Sequence, residues 1–391
     1  MQIGQVAYFQ NGYAFKSKDF VKNGKYKIIK IKELKDGKVR FFNDSASVDV
    51  DDKQIIEKYI VKNGDILFAL TGDPVNKKNP LSWVGRVSVY EDNQLALLNQ
   101  RVCKLIPKKE LNAKYIYYYF RAFNNFYALA SIAKGSASQA NISTKDIESM
   151  EVALPSLNIQ DKIVLILDSI EEKISQNNKI NENLEQQAQT LYHRMFVENA
   201  SPNWKEGTLQ DIADITMGQS PNGSSYNENG DGAIFFQGRA EFGFRFPNIR
   251  LYTTEPKRMA YTNDILMSVR APVGDLNVAH TDCCIGRGLA AIHSKSSQQS
   301  FVLYTMFGLK RQLDVFNGEG TVFGSINRRS LNDMPIVIPS SDSITAFENI
   351  VAPIDAQIRN NYNEICSLIQ LRDSLLPKLM SGEINVADIN F

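Results

Sequence analysis

Residues 150–156 read MEVALPS and residues 334–340 read MPIVIPS, so one strand-proline-serine junction occurs twice, 184 residues apart. After both junctions the two copies continue in the same register through a long segment of helical periodicity. Shorter matches precede the junctions in the same order: 3–7 with 209–213, Gly12 with Gly218, 63–67 with 262–266, 84–85 with 273–274, and 134–136 with 319–321. The chain therefore contains an internal repeat, and this repeat determines its architecture.

Each copy predicts a mixed α and β head. Short β-branched runs bounded by Gly, Asn, Asp or Pro, such as 27–31, 85–90 and 335–338, are typical of strands. Residues 113–130 and 299–316 predict packed helices. The aromatic run in the first of these could form a base-stacking platform, but aromatics at helical spacing more often bury, so we favour a core. The run consists of Tyr115, Tyr117, Tyr118, Tyr119 and Phe120.

The segments after the two junctions predict coiled-coil helices, because their seam positions step alternately by four and three residues. The first seam is Ile163, Leu167, Ile170, Ile174, Asn177, Asn181, Leu184, Ala188, Leu191 and Met195. The second seam is Phe347, Val351, Ile354, Ile358, Asn361, Ile365, Leu368, Arg372, Leu375 and Leu379. Seams of this length need a partner, and we expect the two helices to pack antiparallel. A helix of about 33 residues is about 50 Å long and could hold two heads apart.

Both seams place an asparagine at the same step, Asn177 and Asn361. A buried asparagine in a seam costs stability but can fix register, and exposure near a splayed helix end is the open alternative. Pro377 is expected to end or bend the second helix one turn short, with Gly382 closing it.

These patterns predict an α+β protein with an internal pseudo-twofold repeat, in which two antiparallel coiled-coil helices join two heads. We expect the first head at 1–156, the central helix at 157–199, the second head at 200–340 and the C-terminal helix at 341–391. The segment 199–205 (NASPNWK) is the expected linker.

Composition limits the expected location of the protein, the state of its cysteines and its capacity to bind phosphates. The N-terminus lacks a signal-peptide pattern and no run approaches about 18 apolar residues, so we expect a cytoplasmic protein without a membrane segment. The four cysteines form no C-x-x-C pair and are expected to be reduced. A net charge of +1 is weak for a protein that grips phosphates alone, so any positive charge must be local or shared with a partner.

The arrangement resembles the specificity subunits of type I restriction-modification enzymes. The resemblance covers the whole chain and includes 154–161 (LPSLNIQD), 371–384 (LRDSLLPKLMSGEI) and 218–221 (GQSP) followed by Tyr226 and Asn227. It implies two target recognition domains that each read one part of a split, asymmetric sequence in double-stranded DNA. It also implies a coiled-coil spacer that docks two modification subunits, through which the restriction subunits join. S-adenosylmethionine, ATP and magnesium are then expected on the partners, and no cofactor or metal in this chain.

Base edges are read by forked donors and amides, Arg to guanine and Asn or Gln to adenine. In the first head the candidates are Lys77, Lys78, Arg86, Asn99, Gln100, Arg101, Lys134, Ser138 and Gln139. In the second head they are Ser220, Asn222, Tyr226, Gln237, Arg239, Arg245, Arg270, Arg287, Arg328 and Arg329. Taken singly, each could instead be a solvated loop residue or part of a surface ion pair. The adjacent basic pairs are expected to contact phosphate if they contact DNA.

The sequence lacks the motifs of adenine methyltransferases and of glycine-rich cofactor loops. Residues 79–83 (NPLSW) lack the second proline of an adenine methyltransferase loop, and residues 318–324 are one residue too long for G-x-G-x-x-G. Three histidines without ligand spacing give metal binding no support. A non-catalytic DNA reader is therefore favoured, with a coiled-coil scaffold that binds proteins and an intrinsic DNA methyltransferase as alternatives.

Overall fold

The computed structural model of the protein describes residues 1–318, 324–387 and 389. Its first head is built from short strands and helices. The strands are β1 Ala7–Asn11, β2 Phe20–Val21, β3 Tyr26–Ile29, β4 Leu34–Lys35, β5 Lys38–Val39, β6 Ser47–Val48, β7 Ile60–Val61, β8 Ile66–Ala69, β9 Thr71–Gly72, β10 Val87–Val89, β11 Ala96–Leu98, β12 Val102–Pro107, β13 Lys134–Ser136 and β14 Gln139–Asn141. The helices are α1 Ile3–Val6, α2 Lys53–Tyr59, α3 Ala113–Arg121, α4 Phe123–Ser131 and α5 Thr144–Ser149.

Three sheets organise this head. Their strand orders are β1-β12-β8-β10-β5-β4, β2-β6-β3-β11-β7 and β13-β14-β9. Helix α3 packs its aromatic side chains against Phe68 of the first sheet, and Tyr115, Tyr118 and Phe120 are almost fully buried. The core interpretation of the aromatic run is therefore confirmed. The predicted helix over 113–130 is two helices, because the chain turns to an extended conformation at Ala122.

The central helix α6 spans Leu157–His193 and continues into a π-helical turn at Arg194–Glu198. The second head follows. Its strands are β15 Lys205–Thr208, β16 Ala213–Met217, β17 Tyr226–Asn227, β18 Ala233–Phe236, β19 Leu251–Thr253, β20 Met259–Ala260, β21 Ile265–Ser268, β22 Leu276–Val278, β23 Cys283–Ile285, β24 Leu289–Ser294 and β25 Pro335–Ile338. Its helices are α7 Leu209–Ile212, α8 Gln299–Gly308, α9 Lys310–Asp314 and α10 Arg328–Asn332.

Two of the three sheets of the second head repeat the plan of the first. The strand orders of the three sheets are β16-β24-β21-β22, β17-β19-β18-β23-β20 and β15-β25. Strand β16 pairs antiparallel with β24 as β1 pairs with β12 in the first head. The match of 134–136 with 319–321 cannot be followed further, since 319–321 lies outside the described residues. Helix α11, Ser341–Ser381, ends the fold.

The chain forms two compact units, Met1–Ile174 with the described residues from Cys366 onward, and Ser175–Ile365. Each unit contains one head, part of α6 and part of α11. In the first unit Arg372 of α11 lies against Glu171 of α6, and in the second Asn361 of α11 lies against Asn181 of α6. Within the second unit Asn361 binds Asn181 and Glu364 binds Asn177, so residue numbers fall along α6 as they rise along α11 and the helices pack antiparallel there, as predicted.

The buried positions of α6 and α11 follow the predicted seams. Asn177, Asn181 and Asn361 are 1%, 2% and 6% exposed. The alternative that Asn177 and Asn361 lie exposed at a splayed end is therefore wrong. Their amides are instead hydrogen-bonded inside the second unit, which is the environment where a polar seam residue can fix register.

The prediction that Pro377 ends the second helix a turn early is wrong, because α11 continues through it to Ser381. The residues around this proline, Leu376, Leu379 and Met380, are buried in the core of the first unit. Burial of such side chains, about 1.5–3 kcal/mol each, outweighs the cost of about 3 kcal/mol for proline in a helix. Gly382 follows with φ +78°, the left-handed conformation that closes helices.

Neither long helix, nor any shorter one within the described part of the chain, carries an apolar stretch able to cross a bilayer.

Candidate nucleic-acid interface

Both heads build the same loop scaffold at the end of one central strand. In the first head, the N–H of Leu70 donates to the carbonyl of Arg101 (2.9 Å) and its carbonyl accepts from Ile142 (2.9 Å). In the second head, the N–H of Val269 donates to Gly288 (3.0 Å) and its carbonyl accepts from Ile326 (3.1 Å). Three separate segments therefore meet at the same point of each head.

The matching glycines of the sequence repeat belong to this scaffold. A Cβ atom on Gly12 would lie 2.2 Å from the carbonyl oxygen of Asn99, and one on Gly218 would lie 2.2 Å from that of Gly286. The backbone thus approaches too closely for a side chain at either position. Gly12 and Gly218 are required by packing beneath the loops.

We call the three exposed segments of the first head the first rim: the loop 73–84, the loop 99–101 and the hairpin β13–β14. The hairpin joins the first loop through pairing of β14 with β9. The loop is held closed because the indole N–H of Trp83 donates to the carbonyl of Lys77 (2.8 Å). The rim brings together seven of the candidates, which are exposed or, for Gln139, half-buried: Lys77, Lys78, Gln100, Arg101, Lys134, Ser138 and Gln139.

Two candidates of the first head lie away from the exposed edge. Asn99 is buried beneath the rim against the Gly12 backbone. The guanidinium of Arg86 is half-buried, with Nη1 donating to the carbonyl of Leu81 (2.6 Å), and it lines a separate cleft. Burial lowers the pKa of Arg86 below the usual arginine value. Neither side chain is placed to reach a base edge at the rim.

The second rim consists of the loop 270–274, the loop 286–288 and the described residues 324–327 before α10. The backbone of Arg270 forms an isolated antiparallel β-bridge with that of Ser325. The backbone N–H of Arg287 donates to the hydroxyl of Ser220 (3.3 Å). Gln237 borders the rim, because the backbone of Gly286 and Gly288 approaches it closely. Gln237, Arg270 and Arg287 are exposed, so the fold brings these three candidates together.

The other candidates of the second head have varied surroundings. Asn222 is exposed, whereas the hydroxyl of Tyr226 is occupied by the carbonyl of Pro221 (3.1 Å). Arg239 forms an ion pair with Asp275. Arg328 and Arg329 begin α10 and are exposed, and Arg329 lies 3.6 Å from the carboxylate of Asp333.

Arg245 does not fit a role in reading DNA. It is 4% exposed, its Nη1 lies 3.2 Å from Asp355 of α11, and its Nη2 donates to the hydroxyl of Tyr304 (3.1 Å). The same Nη2 lies 2.8 Å from Glu185 of α6, an ion pair that is not aligned as a hydrogen bond. Burial alone would lower the pKa of Arg245, but Tyr304 and the two carboxylates raise it above its usual value. Arg245 instead fastens the second head to both helices.

The first unit contains a similar cluster of ion pairs between its head and both long helices, which the sequence did not reveal. Arg121 of α3 and Arg372 of α11 both bind Oε1 of Glu171 in α6, at 2.8 and 3.1 Å. Burial would raise the pKa of Glu171, but the two arginines hold it below the usual glutamate value. The only sequence indication was the charged Arg372 at a seam position.

Charge is distributed unevenly among the parts of the chain. Residues 1–156 contain 24 Lys and Arg against 16 Asp and Glu, a net charge of +8. Residues 200–340 contain 13 of each, and the two helical segments contain 7 basic against 14 acidic residues. The net +1 of the chain therefore conceals a basic first head. Nine of the 13 basic residues in the second head are arginines, the side chain suited to guanine.

Among the described residues, the rims offer guanidinium, ammonium and amide donors. Within the described residues no group of three His, Cys, Asp or Glu side chains could hold a metal ion. The polar rim side chains sit on loops fixed by backbone hydrogen bonds, which suits recognition by contact.

Comparison with known proteins supports this assignment. The family described as "Type I restriction modification DNA specificity domain" matches residues 1–186 and 202–361. A Methanocaldococcus jannaschii protein named as the MjaX type I restriction enzyme specificity subunit is 30% identical over 381 residues, covering 92% of this chain and 88% of the relative. The MjaIX specificity subunit of the same organism is 23% identical over 326 residues, covering 74% of this chain and 73% of the relative.

A solved structure supports the fold. The crystal structure of the type I restriction-modification S subunit from M. genitalium aligns over 97% of this chain and 95% of that chain, with a TM-score of 0.59 and 17% identity. Two repeated family domains, each with one rim, thus account for most of the sequence. The chain belongs to the type I restriction-modification DNA specificity family and is a non-catalytic specificity subunit that recognises DNA sequence with two domains.

Proposed function

We propose that each rim reads one part of a split, asymmetric target in double-stranded DNA. The observation that carries this proposal is a shared backbone scaffold with different side chains. At equivalent positions the first rim carries Gln100 and Arg101, whereas the second carries Arg287 and Gly288. Different donors on the same scaffold recognise different bases, so the two half-sites differ.

Roles follow from side-chain geometry. The forked donors of Arg101, Arg270 and Arg287 suit the O6 and N7 atoms of guanine in the major groove. The amides of Gln100 and Gln237 suit adenine. The adjacent Lys77 and Lys78 bind phosphate, because neighbouring side chains rarely converge on one base edge. Arg328 and Arg329 do the same in the second head.

The two long helices have a second role in this proposal. Helices α6 and α11 set the number of unread base pairs between the half-sites and dock two modification subunits. Restriction subunits join through those subunits, which also carry S-adenosylmethionine, ATP and magnesium. Because the target is cellular DNA, the complex acts in the cytoplasm. The net charge of +1 is consistent with a grip on DNA that the partners share.

Selection from random duplex DNA tests this proposal. The purified chain is mixed with its modification subunit, and bound duplexes are recovered and sequenced. We expect one motif with two different half-sites separated by a constant number of unread base pairs. Recovery without sequence enrichment, with the protein complex still intact, would favour a scaffold whose heads bind proteins.

A further inference from the structure

The first head contains a cleft of about 510 Å³ beside the first rim. Its walls come from residues 32–37, from 79–81, from the start of β10 and from helices α3 and α4. We call it the α4 cleft. Its volume lies in the range of about 300–1,000 Å³ that is usual for small-molecule sites.

Four cationic side chains and one carboxylate line the α4 cleft, and the cations Lys32 and Arg121 are already paired with Asp44 and Glu171. Lys32, Lys35, Arg86 and Arg121 line it, and Asp36 is the carboxylate among the described lining residues. The Nε of Arg86 is buried without an acceptor among the described residues. Buried donors are almost always satisfied in native proteins, so Arg86 is a cation of this cleft with hydrogen-bonding capacity left for an acceptor.

One wall of the cleft is aromatic. Phe123 and Phe126 of α4 line it, and Phe123 is 58% exposed. Phe126 stacks on Trp83 with ring centroids 6.0 Å apart and planes at 30°, and Phe123 stacks on Tyr127 at 6.2 Å and 29°. Exposed, supported rings next to a cation form a platform on which a nucleobase stacks.

At the equivalent place in the second head, a carboxylate of the chain itself is bound by two cationic side chains. The carbonyls of Arg86 and Asp275 accept equivalent strand hydrogen bonds, from Ala69 and Ser268, both at 2.9 Å. Arg86 of the first head is therefore replaced by Asp275, which lines a cleft of about 440 Å³. That carboxylate is bound by Arg239 and by Lys310 (3.4 Å).

The second head thus supplies its own anion, whereas the first presents cations. Helix α9, which follows α8 as α4 follows α3, contains no aromatic residue. Phe242 and Phe307 line the second cleft as well, so what distinguishes the α4 cleft is the guanidinium of Arg86 beside the exposed ring of Phe123. Their combination suits a ligand that is both anionic and aromatic.

We propose that the α4 cleft binds a nucleotide, whose base stacks on Phe123 and Phe126 and whose phosphate accepts from Arg86. This site is additional to the rim that reads duplex sequence. The nucleotide is either free in solution or an unpaired residue of bound DNA, because both present the same base and phosphate.

Titration of the full chain with dAMP, followed by calorimetry, tests the proposal. We expect saturable binding, and binding of deoxyribose 5-phosphate about 10-fold weaker, because base stacking is removed. Arg86→Gln and Phe123→Ala should each weaken dAMP by about 10-fold. Lys145→Gln, an exposed lysine of α5 outside the cleft, removes the same charge and should change nothing. Circular dichroism of each variant shows whether it is folded.

Competition against bound dAMP distinguishes the two sources. A hairpin duplex with one unpaired overhanging nucleotide should displace dAMP if the source is DNA, while failure of both this hairpin and its blunt form identifies a free nucleotide. Arg101→Ala on the rim should leave dAMP binding intact, so failure of the rim proposal is measured separately. Absence of saturable dAMP binding, or equal affinity in folded Arg86→Gln and Lys145→Gln, would overturn the proposal.

Discussion

Asn361 donates a hydrogen bond from Nδ2 to Oδ1 of Asn181 across the antiparallel helices of the second unit, at 2.8 Å. Gln357 donates to Oδ1 of Asn361 (2.7 Å), and Asn177 donates to Glu364 (2.8 Å). Asn177, Asn181 and Asn361 take the place of apolar seam residues over adjacent turns of the helix pair. A mismatched register would bury them without partners, so the pair penalises every other alignment.

Changing one member of this pair should destabilise the second unit. Asn181→Leu leaves the amide of Asn361 without its acceptor, and we expect a loss of about 1–3 kcal/mol in the free energy of unfolding. The double variant with Asn361→Leu should recover most of the loss, because an apolar pair needs no hydrogen bond. Urea denaturation measures both, with exposed Asn183→Leu as the control. A single variant as stable as the control would show that the amide pair has no energetic role.

Arg245 should behave as a structural residue. Arg245→Met leaves Glu185 and Asp355 buried without their counter-charge, and removing one partner of such a group costs about 3–5 kcal/mol. Arg287→Ala, an exposed rim change in the same head, should leave thermal stability unchanged. The melting temperatures of the two variants make the comparison. Equal melting temperatures, with loss of target binding in Arg245→Met, would return Arg245 to the DNA-reading residues.

Two buried carboxyls, Glu171 of the first unit and Glu185 of the second, should contribute to acid stability in opposite directions. The pKa of Glu171 is lowered, so its ionised form stabilises the first unit above about pH 4.5, and this stability is lost as the pH falls below that value. Burial raises the pKa of Glu185 despite Arg245, so the folded second unit binds a proton more readily than the unfolded chain. The contribution of Glu185 to the stability of this unit therefore increases as the pH falls toward about 4.5 from above.

Denaturation of Glu171→Gln and Glu185→Gln across pH tests these signs. Glu171→Gln should lessen the loss of stability below about pH 4.5, and Glu185→Gln should lessen the gain as the pH approaches that value from above. An unchanged pH profile in Glu185→Gln would show that this carboxyl does not carry the effect.

Rim residues should separate into readers and phosphate contacts. Arg287→Ala should relax the choice of base at one position, by about 1–3 kcal/mol of discrimination, without affecting the other half-site. Lys77→Gln combined with Lys78→Gln should weaken all sequences alike and reduce the slope of log affinity against log salt by about 1.8. Binding to matched and mismatched duplexes at several salt concentrations distinguishes these outcomes. Uniform weakening by Arg287→Ala would assign it to phosphate instead.

Much of the fold could be predicted because the features that produce it are local and periodic. The seams of α6 and α11, the aromatic face of α3 and strands such as β25 follow from side-chain spacing. The continuation of α11 through Pro377 could not be predicted, because the core that holds it comes from the first head.

The candidate site was predictable only as a set of loops. Forked donors in predicted loops indicated Arg101, Arg270 and Arg287, and these three residues lie on the rims. The same criterion also indicated Arg245, whose carboxylate partners come from two distant helices and leave no pattern near it in sequence. Arg86 also lies away from the rim, and the cleft that it lines is assembled from four separate segments.

Exchange of residues 1–156 for the first head of a relative with a different target tests the central claim most directly. The exchanged chain is expressed with its partners, and methylated adenines are mapped across the cell's DNA. If each head reads one part of the target, one half-site changes, while the other half-site and the spacing between them stay the same. A change in both half-sites would contradict modular reading by two independent heads.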